Sequence, residues 1–189
     1  MNKVISHVDY KKNMKILNLI PTKLKKLIKD FTPIAKILAK KISSVNSCYF
    51  IGRNISYPIA LEGSLKLKEI SYLHSEGFPG GEMKHGPIAL IDKDTMTVCI
   101  NPNNELYEKS VSNAKEISAR NGKIIILTSA KRTNKGGTEM KVPNLPKENF
   151  IDTPFIYSIP LQLISYYFAL NEGTDIDQPR NLAKSVTVE

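Results

Sequence analysis

The chain has 189 residues, is 41% hydrophobic and carries a formal net charge of +9, enough length for one domain with its own core. No apolar run is long enough to span a bilayer and the N-terminus has no signal-type apolar stretch, so the expectation is a cytoplasmic protein with no membrane partner. Nucleic acid is not expected either: residues 1–45 hold eleven lysines against Asp9 and Asp30 while the rest of the chain balances, and no reading motif or aromatic platform accompanies the basic segment.

In chain order, residues 11–44 predict two or three helices, with Pro21 near a helix start and apolar repeats at Leu24, Leu27, Ile28 and at Ile34, Ile37, Leu38, Ile42. Cys48–Ile51 is a short apolar run ending at Gly52-Arg53-Asn54, a buried strand entering a turn. A helix over Pro58–Ser71 follows, then a strand within Leu73–Phe78 and a short helix or turn opened by Gly80-Gly81-Glu82. Thr95–Ile100 predicts a third strand, Glu105–Ala119 a helix closed by Asn121-Gly122, and Lys123–Thr128 a fourth strand. Residues 129–147 are expected to be loop, Phe150-Ile151 a short edge strand, and Pro154–Leu170 a long apolar helix. Strands alternating with helices imply an α/β domain with a parallel sheet between two helical layers.

The division expected is a lysine-rich helical linker at 1–45, the α/β domain at 46–173 and an irregular tail at 174–189. Cys48 and Cys99 lack ligand spacing, so they are expected to be buried thiols, with no metal and no cofactor.

The segment richest in chemistry is Ala60–Pro87, ALEGSLKLKEISYLHSEGFPGGEMKHGP. Glu62, Lys66 and Glu69 at i, i+4 and i+7 share one helical face. A solvated ion-pair row is the bland explanation. Leu61, Leu65, Leu67 and Ile70 argue for burial instead, and buried carboxylates suit proton transfer. Glu82-Met83-Lys84-His85-Gly86-Pro87 forms a second polar cluster about one strand further on. The last sixteen residues read as a frayed tail, although Arg180, Asn181 and Lys184 would be able to reach a cleft at the sheet's C-terminal edge.

Three stretches, residues 52–92, NPNNELYEK at 101–109 and residues 159–189 ending DQPRNLAKSVTVE, closely resemble the C-terminal part of the glutamine–fructose-6-phosphate aminotransferase (glucosamine-6-phosphate synthase) family. The resemblance runs from about Lys11 to the end. It implies a flavodoxin-like, three-layer sugar-isomerase domain, the second of two. The glutaminase domain and the first isomerase domain, with its Ser/Thr-rich phosphate loop, have no counterpart in this sequence. Thr128-Ser129 and Thr133 come nearest to such a loop, flanked by Lys131, Arg132 and Lys135, and an ordinary connector is the reading preferred.

The resemblance also implies roles. Glu69 is the base that moves a proton between C1 and C2 of the open sugar, with Glu62 and Lys66 supporting it. His85 opens the sugar ring in the neighbouring subunit's site. Lys184 forms an imine with the open-chain sugar, and Ala183 supports substrate binding. Expected partners are a sugar phosphate, a second copy of the chain and a separate chain carrying the missing domains. The alternative, from a different class, is a non-catalytic sugar-phosphate-binding or dimerisation module. His74 is expected to pack in or beside its strand.

Overall fold

Strands of a parallel sheet are covered on both faces and must be apolar on both. The computed structural model, which describes residues 5–131, 139–142 and 145–182, puts the sequence's apolar runs in such strands. β1 (Ser47–Gly52), β2 (His74–Pro79), β3 (Thr95–Ile100), β4 (Lys123–Leu127) and β5 (Glu139–Val142) form one sheet in the order β2-β1-β3-β4-β5. Every pairing is parallel; Ser47 lies opposite both His74 and Thr95, which aligns the N-terminal edges of the three strands. This is the flavodoxin-like order, with its switch point between β1 and β3.

Helices α1 (His7–Ile42), α2 (Ser56–Ser71) and α4 (Thr153–Glu172) cover one face. Their core side chains include Leu27, Phe31, Leu38, Leu67, Tyr157 and Leu161. Helix α3 (Tyr107–Ser118) and two short 3-10 turns, Met83–His85 and Pro87–Leu90, cover the other face over Tyr49, Ile51, Cys99 and Ile126. Three layers result. Cys48 and Cys99 are both buried, on opposite faces of the sheet, and burial pushes the Cys48 thiol far up.

Several expectations need correction. The two or three N-terminal helices are one helix of 36 residues that runs through Pro21 and Pro33. A proline inside a helix costs about 3 kcal/mol. Burial of Leu27 and Phe31 before Pro33, and of Ala35, Leu38, Ala39 and Ile42 after it, outweighs that cost at about 1.5–3 kcal/mol for each large side chain. The C-terminal half of α1 is therefore part of the domain's core. The 129–147 loop contains β5, whereas Phe150-Ile151 is a turn leading into α4.

Leu61 and Leu65 are 42% and 41% exposed, so they do not shield the charged face of α2. That helix seats its small residues inward instead. A Cβ on Gly63 would stand 2.7 Å from Leu161 Cδ1 and 2.9 Å from Phe50 Cδ1, so only glycine lets α2 lie this close to α4 and β1. Ser75 Oγ donates to the Ser64 carbonyl at 2.7 Å, tying α2 to β2. With Ala60, Gly63, Ser64 and Leu67 inward, Glu62, Lys66 and Glu69 are turned toward the outer surface.

Candidate active site

Lys66 sits between its two carboxylates. Its Nζ donates to Glu69 Oε2 at 2.8 Å and stands 4.0 Å from Glu62 Oε1. The hydrogen bond to Glu69 is the main reason the Lys66 ammonium is held above its usual range; partial burial opposes this, and the charges of Glu69 and Glu62 add to it. The expected face thus exists as an ion-bridged row. It is half open to solvent, with the Glu69 side chain 26% exposed. Within this chain alone Glu69 is not in a dry site.

The connectivity fixes where each candidate lies. α2 starts near the C-terminal edge of the sheet, after Gly52, and runs back to the N-terminal edge, where β2 begins at His74. Glu69, in its last turn, therefore belongs to the N-terminal edge. His85 follows β2 and belongs to the C-terminal edge, at the far end of a six-residue strand roughly 20 Å long. The structure does not bring Glu69 and His85 together in one copy.

His85 is carried on a firmly rooted turn. Arg53 donates through Nε and Nη2 to Asn113 Oδ1 at 3.0 and 2.9 Å. A Cβ on Gly81 would come 3.3 Å from Arg53 Nη1 and one on Gly80 3.4 Å from Arg53 Cγ, so the Gly80-Gly81 backbone lies close against the Arg53 side chain. Met83 is buried below, and Gly86 turns the chain at φ 147, a value open to glycine. The His85 imidazole is exposed and makes no hydrogen bond or ion pair with the described residues. His74 also differs from its expectation: its side chain is exposed, with Nε2 3.7 Å from Glu76 Oε1.

The described part of the tail, residues 174–182, lies at the N-terminal edge of the sheet and not at the C-terminal edge that its polar residues had suggested. α4 runs back across the sheet for 20 residues, about 30 Å, and releases the chain at the edge where α2 ends. There Thr174 Oγ1 donates to the Ile70 carbonyl at 2.6 Å, and the Arg180 backbone N–H donates to the Tyr72 hydroxyl at 2.9 Å. The Arg180 guanidinium stacks 4.1 Å above the Tyr72 ring. Ala183 and Lys184 lie outside the described residues, as do Arg132, Thr133 and Lys135. Tyr72 and Thr174 were missed in the sequence, since neither an aromatic after a helix nor a threonine after a glycine signals a docking point.

Thr128-Ser129, at the described start of the 129–147 connector, is tied into the fold. Both hydroxyls are buried; Thr128 Oγ1 accepts from the Ala130 N–H, and the Ser129 N–H donates to the Tyr157 hydroxyl. The switch-point crevice, about 150 Å³, is lined by Glu105 and Glu148 among amides, with no lysine or arginine, which disfavours phosphate. Among the described residues there is no group of three or more His, Cys, Asp or Glu able to hold a metal ion, and no helix is long and apolar enough to cross a membrane.

Residues 41–172 match the SIS-domain family. The chain belongs to it. It is also 45% identical, over its whole length, to 31% of the glutamine–fructose-6-phosphate aminotransferase (isomerizing) of Haemophilus influenzae, and 48% identical over 92% of its length to 28% of the Pseudomonas putida protein of that name. The chain thus spans about a third of the length of these curated relatives. A solved structure of the C-terminal domain of glucosamine-fructose-6-phosphate aminotransferase from Francisella tularensis superposes with a TM-score of 0.83 at 36% identity, over 93% of this chain and 49% of that chain. At 16% identity, tagatose-6-phosphate ketose/aldose isomerase from Escherichia coli, with a TM-score of 0.70, shares the SIS fold alone.

Proposed function

We propose that this chain is the C-terminal isomerase unit of a cytoplasmic, homodimeric enzyme that converts fructose 6-phosphate and ammonia, released from glutamine, into glucosamine 6-phosphate. The observation that carries the reading is the Glu62–Lys66–Glu69 row, held outward on a helix end where the C-terminal tail is docked. Glu69 moves the proton between C1 and C2, on one face of the intermediate, once a second body covers it and excludes water. Lys66, hydrogen-bonded to Glu69 and flanked by Glu62, sets its orientation. Lys184 forms the imine with the open-chain sugar, and Ala183 beside it contacts substrate. His85 opens the ring of a sugar bound to the other subunit, a division of labour that its placement at the opposite edge from Glu69 supports.

The phosphate is held elsewhere, on a first isomerase unit linked to the glutaminase. The second reading is a sugar-phosphate-binding or dimerisation module without catalysis; the switch-point crevice, with two carboxylates in its wall, favours the dimerisation form of it. Turnover separates the two. The chain alone forms no glucosamine 6-phosphate; mixed with a fragment carrying the glutaminase and first isomerase domains it does, and Glu69→Gln lowers that rate about 10²–10⁴-fold. Sugar-phosphate binding without turnover in the mixture would leave the module reading.

A further inference from the structure

We infer that Tyr72 is the positioning residue of the C-terminal tail: it fastens Arg180 to the Glu69 end of α2 and so decides which edge of the domain the residues beyond can address. The inference deepens the proposed function and, for its chemical consequence, rests on the role assigned there to Lys184.

Tyr72 ends α2 in the left-handed region, at φ 64 and ψ 7, with its N–H donating to the Lys68 carbonyl. A bulky residue rarely adopts that conformation, and its cost persists only where the surroundings hold it. Here the ring meets the tail in two independent ways: its hydroxyl accepts the Arg180 N–H, and its face carries the Arg180 guanidinium at 4.1 Å. One arginine is thus held by main chain and side chain at once. Six residues earlier Thr174 is bound to the Ile70 carbonyl, and between the two points Asp175 Oδ1 accepts from the N–H groups of Asp177 and Gln178. Two pins and an internal turn give this short segment a defined path along the end of α2.

Chain length does the rest. Lys184 follows Arg180 by four residues, so its Cα lies within about 14 Å of that of Arg180, whatever its path. Tyr72 is three residues from Glu69, about one helical turn. An anchored Arg180 therefore limits how far the chain beyond it can stray from the end of α2 that carries Lys66 and Glu69. His85, across the sheet, belongs to a different site.

Two measurements on the isolated chain test this. Exchange of the Arg180 amide, followed by NMR, should quicken about fivefold in Tyr72→Phe, which loses one hydrogen bond but keeps the ring, and about twentyfold in Tyr72→Ala, which loses both contacts. A short amine-to-amine cross-linker should join Lys66 to Lys184 in the wild type. The yield should fall by about half in Tyr72→Phe and at least about fivefold in Tyr72→Ala and in Arg180→Gln, the last touching only the tail and leaving the domain core intact. No Lys66–Lys184 cross-link in the wild type, unchanged Arg180 exchange in Tyr72→Ala, or yields that no variant lowers would overturn the anchor. If these signals behave as expected but borohydride traps no sugar on Lys184 in the assembled enzyme, the anchor stands and the imine role of Lys184 falls.

Discussion

The two edges of the sheet are built for different tasks. The C-terminal edge, where open α/β sheets usually receive ligands, has a small crevice with carboxylates in its wall and a rooted turn that presents His85 outward. The N-terminal edge, usually a plain structural side, carries the Lys66 bridge and the docked tail. The difference teaches that the position of the candidate residues follows helix length rather than the sheet's switch point. Helices α2 and α4 both run the height of the sheet, and each delivers its chemically useful part at the far end. Glu69 and His85 then stand at opposite edges of one copy, and on the proposed function the site they serve is shared between two copies.

The sharpest test of that contrast uses two crippled proteins. Glu69→Gln and His85→Ala, each assembled with the missing domains, should be inactive alone by about 10²–10⁴-fold. After the two are unfolded and refolded together, about a quarter of wild-type turnover should return, because half the dimers are mixed and each mixed dimer has one site with both groups intact. If mixing restores nothing while dimers still form, the two edges do not serve each other's sites. A middle-sized effect concerns how α2 is seated. Gly63→Ala forces a methyl group against Leu161 and Phe50, and urea unfolding should show a loss of about 1–3 kcal/mol. A neutral result would mean that α2 backs away freely, and then the direction of the Glu69 face is not set by this contact.

The smallest effect is electrostatic. Lys66 has its folded-state value raised above the usual lysine value of about 10.4, so its bridge contributes stability that is present below that pH and lost as pH rises through the raised value. Lys66→Met should differ from wild type by less than about 1 kcal/mol at neutral pH, since the row is exposed. That difference should shrink above about pH 10.4. A difference that is flat through pH 11 would show that packing of the Lys66 stem, not its charge, carries the contribution.

Much of this architecture was legible in the residues. β1 and β4 are apolar on both sides, as Cys48–Ile51 and KIIILT announce, β3 is buried along its whole length, and α3 is closed by Asn121-Gly122, with Asn121 at φ 65. β5 was hidden because GluMetLysVal has no apolar run; it is an edge strand that needs only backbone pairing with β4. Pro21 and Pro33 looked like breaks because local propensity knows nothing of the tertiary burial that overrides it. The Glu62–Lys66–Glu69 face followed from spacing alone, but its exposure did not: four leucine and isoleucine neighbours suggested a buried helix, whereas Leu61 and Leu65 are exposed and Leu67 packs inward with Ala60, Gly63 and Ser64. The tail's edge depended on the direction of α4, a property of topology that no residue in the tail records.

Helix α1 holds a last consequence. Its 36 residues measure about 54 Å at 1.5 Å per residue, against about 20 Å for a six-residue strand. The portion ahead of Ile20 is largely exposed and stands clear of the core that grips the other half. Because the helix is continuous through both prolines, its exposed and gripped halves are joined by helix and not by a loop. Whatever meets the exposed half is thus connected, through Leu27 and Phe31 in the core, to Ile42, five residues before β1 begins.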